Sequence, residues 1–187
     1  YASGLRNAVG IALLPGSGRL FAVVNERDGL GDDLVPDYLT EVRQGAFYGW
    51  PYAYIGPNPQ PNYAERRPDL VRQAVVPDLL FKSHSAPIGL IFYRGRQFPA
   101  EYRGDAFVTL RGSWNSGKPV GYQLVRVKFK DGKPEGGYEV FLDGFRVGGA
   151  ERAEVWGRPA GVAEMPDGSL LVTDDTGKTI WRVSYGG

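Results

Sequence analysis

Cysteine is missing from all 187 residues, which removes disulfides and thiolate metal sites and leaves the redox compartment open. Histidine occurs once, at His84. One imidazole, with no serine in a strained elbow beside it, does not support a Ser-His-Asp triad. No apolar run is long enough to cross a membrane, and the chain opens at Tyr1 with no initiator Met and no signal peptide. Neither charge sign dominates: Lys+Arg number 22 and Asp+Glu 21, for a net charge of +1. The charges are scattered, so no basic face of the kind nucleic acid demands is present. Sustained helical periodicity is lacking too, and Asp69 to Gln73 offers one turn at most.

What is abundant points the other way. The chain holds 27 Gly and 14 Pro beside 11 Tyr, 9 Phe and 4 Trp. Many turn formers with many aromatics predict short strands on tight connections. With 42% hydrophobic and 23% charged residues, the composition is that of one globular domain with a sizeable core.

Three stretches repeat a strand, turn, strand pattern. Residues 10 to 26 give Gly10-Ile11-Ala12-Leu13-Leu14, the turn Pro15-Gly16-Ser17-Gly18, then Arg19 to Val24. Pro87 to Tyr93, Asp105 to Leu110, Tyr122 to Val127 and Gly137 to Leu142 form a second set. Val162 to Met165, Ser169 to Asp175 and Thr179 to Val183 form a third. An internal repeat of this kind predicts consecutive blades of a propeller, at roughly 40 to 50 residues each, in preference to a β-sandwich. The expected spans are 9–51, 86–145 and 158–185, all within one domain covering 1–187. The Pro-rich segment 52–80 is expected as a surface insertion outside the blades. About three blades do not close a ring, and an open sheet edge invites pairing, so the missing propeller half or a second copy is expected to cover it.

Several loops carry chemistry. Arg6-Asn7 precede an inner strand, where both face a propeller's channel; on spacing alone, a surface ion pair and a turn explain them better. Asn25 to Asp33 is an acidic, glycine-punctuated loop whose carboxylates and carbonyls suit calcium. It lacks EF-hand spacing and equally suits a solvated turn. Tyr48 and Trp50, in Gly45 to Pro51, read as a packed aromatic corner. Arg111 and Arg158 stand at strand ends equivalent to that of Arg6, and guanidinium forks suit carboxylates. His84, just before a strand, reads as a loop hydrogen-bonder first and a catalyst second.

Taken in order, Gly4-Leu5-Arg6-Asn7, Asn25-Glu26 to Asp32-Asp33, Tyr48-Gly49-Trp50-Pro51, Ser85-Ala86-Pro87-Ile88-Gly89-Leu90, Gly112-Ser113-Trp114-Asn115 and Gly157 to Val162 form a set. The set resembles the C-terminal half of the soluble PQQ-dependent glucose/sorbosone dehydrogenases, the L-sorbosone dehydrogenase branch in particular. The resemblance runs from about residue 1 to residue 185.

It implies an all-β fold, about three blades of a six-bladed β-propeller. It further implies that Arg6 and Asn7 meet the quinone of PQQ, Arg6 with a catalytic role. Arg111 and Arg158 hold the cofactor, the carbonyls of Asp28 and Gly29 ligate calcium with Asp33 supporting the loop, and Trp114 borders the sugar pocket. The implied chemistry is oxidation of an aldose or sugar aldehyde by hydride transfer to the quinone. The partners are the sugar, an external electron acceptor and the N-terminal half, in a periplasmic or secreted setting.

Val9 stands where glucose-oxidising relatives carry a polar residue. The family's general base is expected upstream of residue 1, and His84 does not match its position, so the chain alone is expected to be inactive. Two other functions compete: a non-catalytic propeller scaffold, and a calcium-dependent lactonase-like hydrolase to which Glu26 and Asn7 supply part of a ligand set.

Overall fold

Glycines at positive φ cut the chain into short antiparallel strands, with Gly16 and Gly18 at φ +74° and +66° in the first turn. The computed structural model describes residues 1–186. In the first blade β1 (Ala8–Leu13), β2 (Leu20–Val24) and β3 (Tyr38–Val42) follow one another. A small ladder of β4 (Ala53–Tyr54) and β5 (Asn58–Pro59) and a short helix α1 (Pro68–Gln73) come next. The strand β6 (Leu79–Leu80) then returns to β3, so the sheet order is β1-β2-β3-β6.

The second blade is β7 (Pro87–Phe92), β8 (Ala106–Leu110), β9 (Gln123–Lys130) and β10 (Lys133–Leu142), paired in sequence order. A ladder of β11 (Arg146–Gly148) and β12 (Glu154–Val155) leads to the third sheet, β13 (Pro159–Glu164), β14 (Leu170–Asp174) and β15 (Thr179–Val183). Neighbours in sequence are neighbours in each sheet, which is the up-and-down order of propeller blades and not the crossing of a Greek-key sandwich. The expectation of three consecutive blades holds.

Alternation along the strands explains how the blades stack. On β8, Val108 joins the cluster shared with Phe21, Val23 and Leu39 of the first blade, while Phe107 joins the cluster shared with Leu170 and Val172 of the third. On β9, Val125 and Leu124 divide in the same way. The central sheet is therefore apolar on both faces, and its strands read as near-continuous hydrophobic runs. Phe21, Phe92 and Phe129 pack edge to face, with centroids 4.9 to 5.5 Å apart, across the first junction. The buried rings of Phe21 and Phe92 each contribute about 1.5–3 kcal/mol by transfer from water.

The innermost strands β1, β7 and β13 lie side by side. A Cβ at Gly10 would stand 2.9 Å from the Ile88 carbonyl oxygen, and one at Gly89 would stand 2.6 Å from that of Ala160. Only glycine permits this approach. Gly10 and Gly89, near the start of the first two repeats, thus let the inner strands come together; Gly161 of the third meets Thr173 of its own sheet instead. Their registers also show that all three start at the same end of the molecule.

Segment 52–80 departs from the expectation of a surface insertion. Leu79 and Leu80 supply the fourth strand of the first blade, and Ile55 and Val75 pack on its outer face against Ala22, Val24 and Tyr38. An apolar sheet face needs cover, and the segment provides it.

Candidate functional site

The end from which the three inner strands start gathers most of the chemistry-bearing loops. Arg6 and Asn7 lead into β1, the segment 82–86 leads into β7, and Arg158 leads into β13. Arg111 follows β8, whose Leu110 pairs with Pro87 at the start of β7.

Between the first two blades these loops enclose a recess of about 210 Å³ lined by Arg6, Asn7, Glu26, Asp28, His84 and Trp114, among others. Polar bonds fasten the loop 25–33 to the second blade. The Asp37 carboxylate accepts from the backbone N–H of Glu26 at 2.8 Å and from that of Ala86 at 2.9 Å. Asn25 Nδ2 donates to the Pro87 carbonyl at 2.8 Å. His84 Nδ1 lies 3.2 Å from Asp28 Oδ1, and Nε2 lies 2.9 Å from the Gly31 carbonyl oxygen. A carbonyl only accepts, so Nε2 carries a hydrogen.

Arg6 points into the same loop, donating to the Glu26 carbonyl at 2.8 Å, with its guanidinium 5.9 Å from the centre of the Trp50 ring. Arg27 Nε donates to the Asp28 carbonyl at 2.9 Å. Tyr48 is buried with its hydroxyl on the Glu41 carbonyl at 2.5 Å, so the aromatic corner is a packing feature.

Two carboxylates here are buried. Desolvation pushes Glu26 up to about 7, opposed by the Arg27 N–H and the nearby Arg6 charge. Desolvation likewise raises Asp37 to about 6 against the two N–H groups it accepts. One Glu26 oxygen, Oε1, is buried without a partner.

At the second junction the character changes. Arg158 donates to the Gly112 carbonyl at 2.9 Å and lies 4.9 Å from the centre of the Tyr122 ring. It lines a recess of about 510 Å³ with Trp114, Ser113 and Arg152. Trp114 is 78% exposed and borders both recesses. Arg111 is turned to Asp175, at 2.5 Å, and lines neither.

The structure therefore brings Arg6, Asn7, Asp28 and Trp114 to one recess and Arg158 to its neighbour. Gly29 sits on the loop at φ +88°. Asp33 lies apart, in a separate hollow of about 620 Å³ beside Asp32, Lys82 and Ser83. Among the described residues no three His, Cys, Asp or Glu side chains are grouped to hold a metal ion.

Asp37 and Asn25 were missed as site residues. Asp37 is embedded between Val35-Pro36 and Tyr38-Leu39, and an acid inside an apolar run is one that must find buried partners. That signal was in the sequence.

Residues 60–186 match the TrAA12-like family. The chain is 37% identical to an uncharacterized protein of Borreliella burgdorferi over 190 residues, which cover 98% of this chain and 48% of that protein. The calcium structure of Trichoderma reesei Carbohydrate-Active Enzymes Family AA12 superposes with a TM-score of 0.71 at 21% identity, covering 96% of this chain and 52% of the other. The holo form of the pyranose dehydrogenase PQQ domain from Coprinopsis cinerea gives 0.72 at 21%, covering 98% and 55%. A glucose dehydrogenase structure gives 0.67 at 27%, covering 99% and 46%. The chain spans about half the length of the proteins it matches.

Proposed function

The chain belongs to the TrAA12-like family, and from that premise we propose that it is the C-terminal part of a PQQ- and calcium-dependent dehydrogenase that oxidises an aldose or sugar aldehyde. The observation that carries this is the pairing of two unlike junctions at one end of the inner strands. An acidic, carbonyl-rich loop faces one recess, half-buried arginines face the two, and Trp114 stands between. Among the described residues neither Arg6 nor Arg158 is in an ion pair; both rest on neutral carbonyls. A half-buried guanidinium without a carboxylate partner suits an anion such as PQQ. The oxygen-rich loop at Asp28 and Gly29 suits a hard cation. These residues fit the two groups.

When bound, the quinone would supply the hydride acceptor. The chain's own residues bind and orient. Arg6, fixed by the Glu26 carbonyl and the Trp50 ring, presents its remaining N–H groups to the recess and serves as the catalytic cation, with Asn7 beside it. Arg158 and, after release from Asp175, Arg111 hold carboxylate. Gly29 and, once its carbonyl is released from Arg27 Nε, Asp28 offer carbonyls to calcium, while Asp33 acts on the loop from outside the recess. Trp114 offers a flat apolar face to a sugar ring. The L-sorbosone branch, an external electron acceptor, and a periplasmic or secreted setting belong to the same proposal. No helix of the described residues is long and apolar enough to cross a membrane.

The test is a titration of the chain with PQQ in calcium buffer, following quinone absorbance retained by the protein. Saturable, calcium-dependent retention is expected, with dye-linked sugar oxidation only when an N-terminal half supplying a base is added. Absence of retention would overturn the reading. Hydrolysis of lactones with calcium alone would favour the hydrolase alternative, and neither activity nor binding would favour a scaffold.

A further inference from the structure

His84 belongs to the second blade's lead-in segment, yet its ring spends both nitrogens on the first blade's loop, 53 and 56 residues away in sequence. The side chain is 4% exposed. Its backbone sits at φ +65°, a conformation uncommon for any residue but glycine, and such a conformation persists only where the surroundings hold it. They do: Ser85 Oγ donates to the Lys82 carbonyl at 2.7 Å, and the next N–H, that of Ala86, is taken by Asp37.

The two residues gripped by the ring, Asp28 and Gly31, flank Gly29 and Leu30. Gly29 and Gly31 are both left-handed, at φ +88° and +92°, and the tip of the loop is largely exposed. A glycine-rich exposed tip has wide conformational freedom, and cation binding must overcome it before oxygens converge. The buried imidazole removes much of that freedom in advance.

We propose that His84 is a positioning residue: by clamping Asp28 and Gly31 together it sets the oxygens that the loop presents to a divalent cation. This rests on the calcium reading above. His84 touches no cation in this role; it acts through the loop, as outer partners of metal ligands do, and removing such a partner typically weakens metal affinity roughly 10–100-fold.

The test compares the whole chain with His84→Asn and Tyr93→Phe. Asparagine tolerates the left-handed backbone, so the first variant removes the ring contacts with least added strain. Tyr93 follows β7 at the opposite end of the inner strand and donates to the Gly168 carbonyl at 2.8 Å, so its variant lowers stability far from the loop. Two quantities are read: terbium affinity by luminescence, sensitised by Trp114 on the same recess, and backbone hydrogen exchange over residues 27–33.

His84→Asn is expected to weaken terbium binding about ten-fold or more and to speed exchange in 27–33, with neither change in Tyr93→Phe. Unaltered affinity or unaltered exchange in His84→Asn overturns the proposal, as does an equal loss of affinity in both variants. If the unsubstituted chain takes up no terbium, the calcium reading itself falls, and the exchange data alone then decide whether His84 clamps the loop.

Discussion

The two blade junctions are built on the same inner-strand geometry and yet present opposite chemistry at the rim. Between the first and second blades stand Glu26, Asp28, Asp37 and His84, with Arg6 among them; Asp37 accepts from the Glu26 and Ala86 N–H groups, and His84 meets the Asp28 carboxylate and the Gly31 carbonyl. Between the second and third stand Arg111 and Arg158, tied to carbonyls and to Asp175. Below the rim both junctions are plain aromatic and aliphatic packing. The packing sets the spacing of the blades, while the rim loops, released from that duty, differ freely in charge. The result is a rim with a mainly acidic side, which also holds Arg6, and a basic side, bridged by one exposed indole.

The comparison breaks most visibly at Asp37. Replacing it by Ala removes one acceptor from two backbone donors, and an orphaned buried donor costs about 1–3 kcal/mol. Asp37→Ala is expected to lose about 2–3 kcal/mol in urea unfolding at neutral pH, because relief of the desolvated carboxylate offsets part of the cost of the two freed donors. A loss under about 1 kcal/mol would mean that water replaces the carboxylate.

Glu26 sharpens the acidic side. Its folded value, about 7, lies above the ordinary 4.5, so between those values the folded chain keeps a proton that the unfolded chain releases. Stability from this group is therefore full below about pH 4.5 and falls as pH rises through 7. Glu26→Gln carries no such dependence. It is expected to unfold about 2 kcal/mol harder than the parent chain at pH 8, with the gap closing toward pH 5, as thermal melts across that range will register.

On the basic side, Arg158→Met keeps the stem over Tyr122 and deletes the charge. PQQ retention is expected to weaken about ten-fold, near 1.4 kcal/mol, with little change in folding. If retention is unchanged while Arg6→Met abolishes it, the anion lies wholly at the first junction. The smallest effect is reserved for Trp114. At 78% exposure its replacement by Ala should alter stability within about 0.5 kcal/mol, and any loss of sugar affinity on the completed enzyme then reports direct contact.

Periodicity and turns were enough to predict three strand sets, and the glycine opening each set marked the inner strands. Arg6, Asp28 and Trp114, chosen from motif order, do come to one recess. Other features were not legible. Arg111 was expected beside Arg6 and Arg158 but is turned to Asp175, 64 residues away. Asp33 was tied to the loop at Asp28 by what the resemblance implies, yet the two line different hollows. Segment 52–80 read as surface because of its prolines, and because its apolar residues, Ile55 and Val75 among them, show no period.

The local pattern alone determined the all-β fold, the order of the strands and the chemistry each loop carries, because turn formation and strand alternation depend on neighbours within a few residues. Which loops meet, which acid is buried and which arginine is left without a carboxylate were decided only by tertiary structure. Those outcomes depend on the distance between groups far apart in sequence and on the water removed when the blades close, and neither quantity is written in any short stretch of the chain.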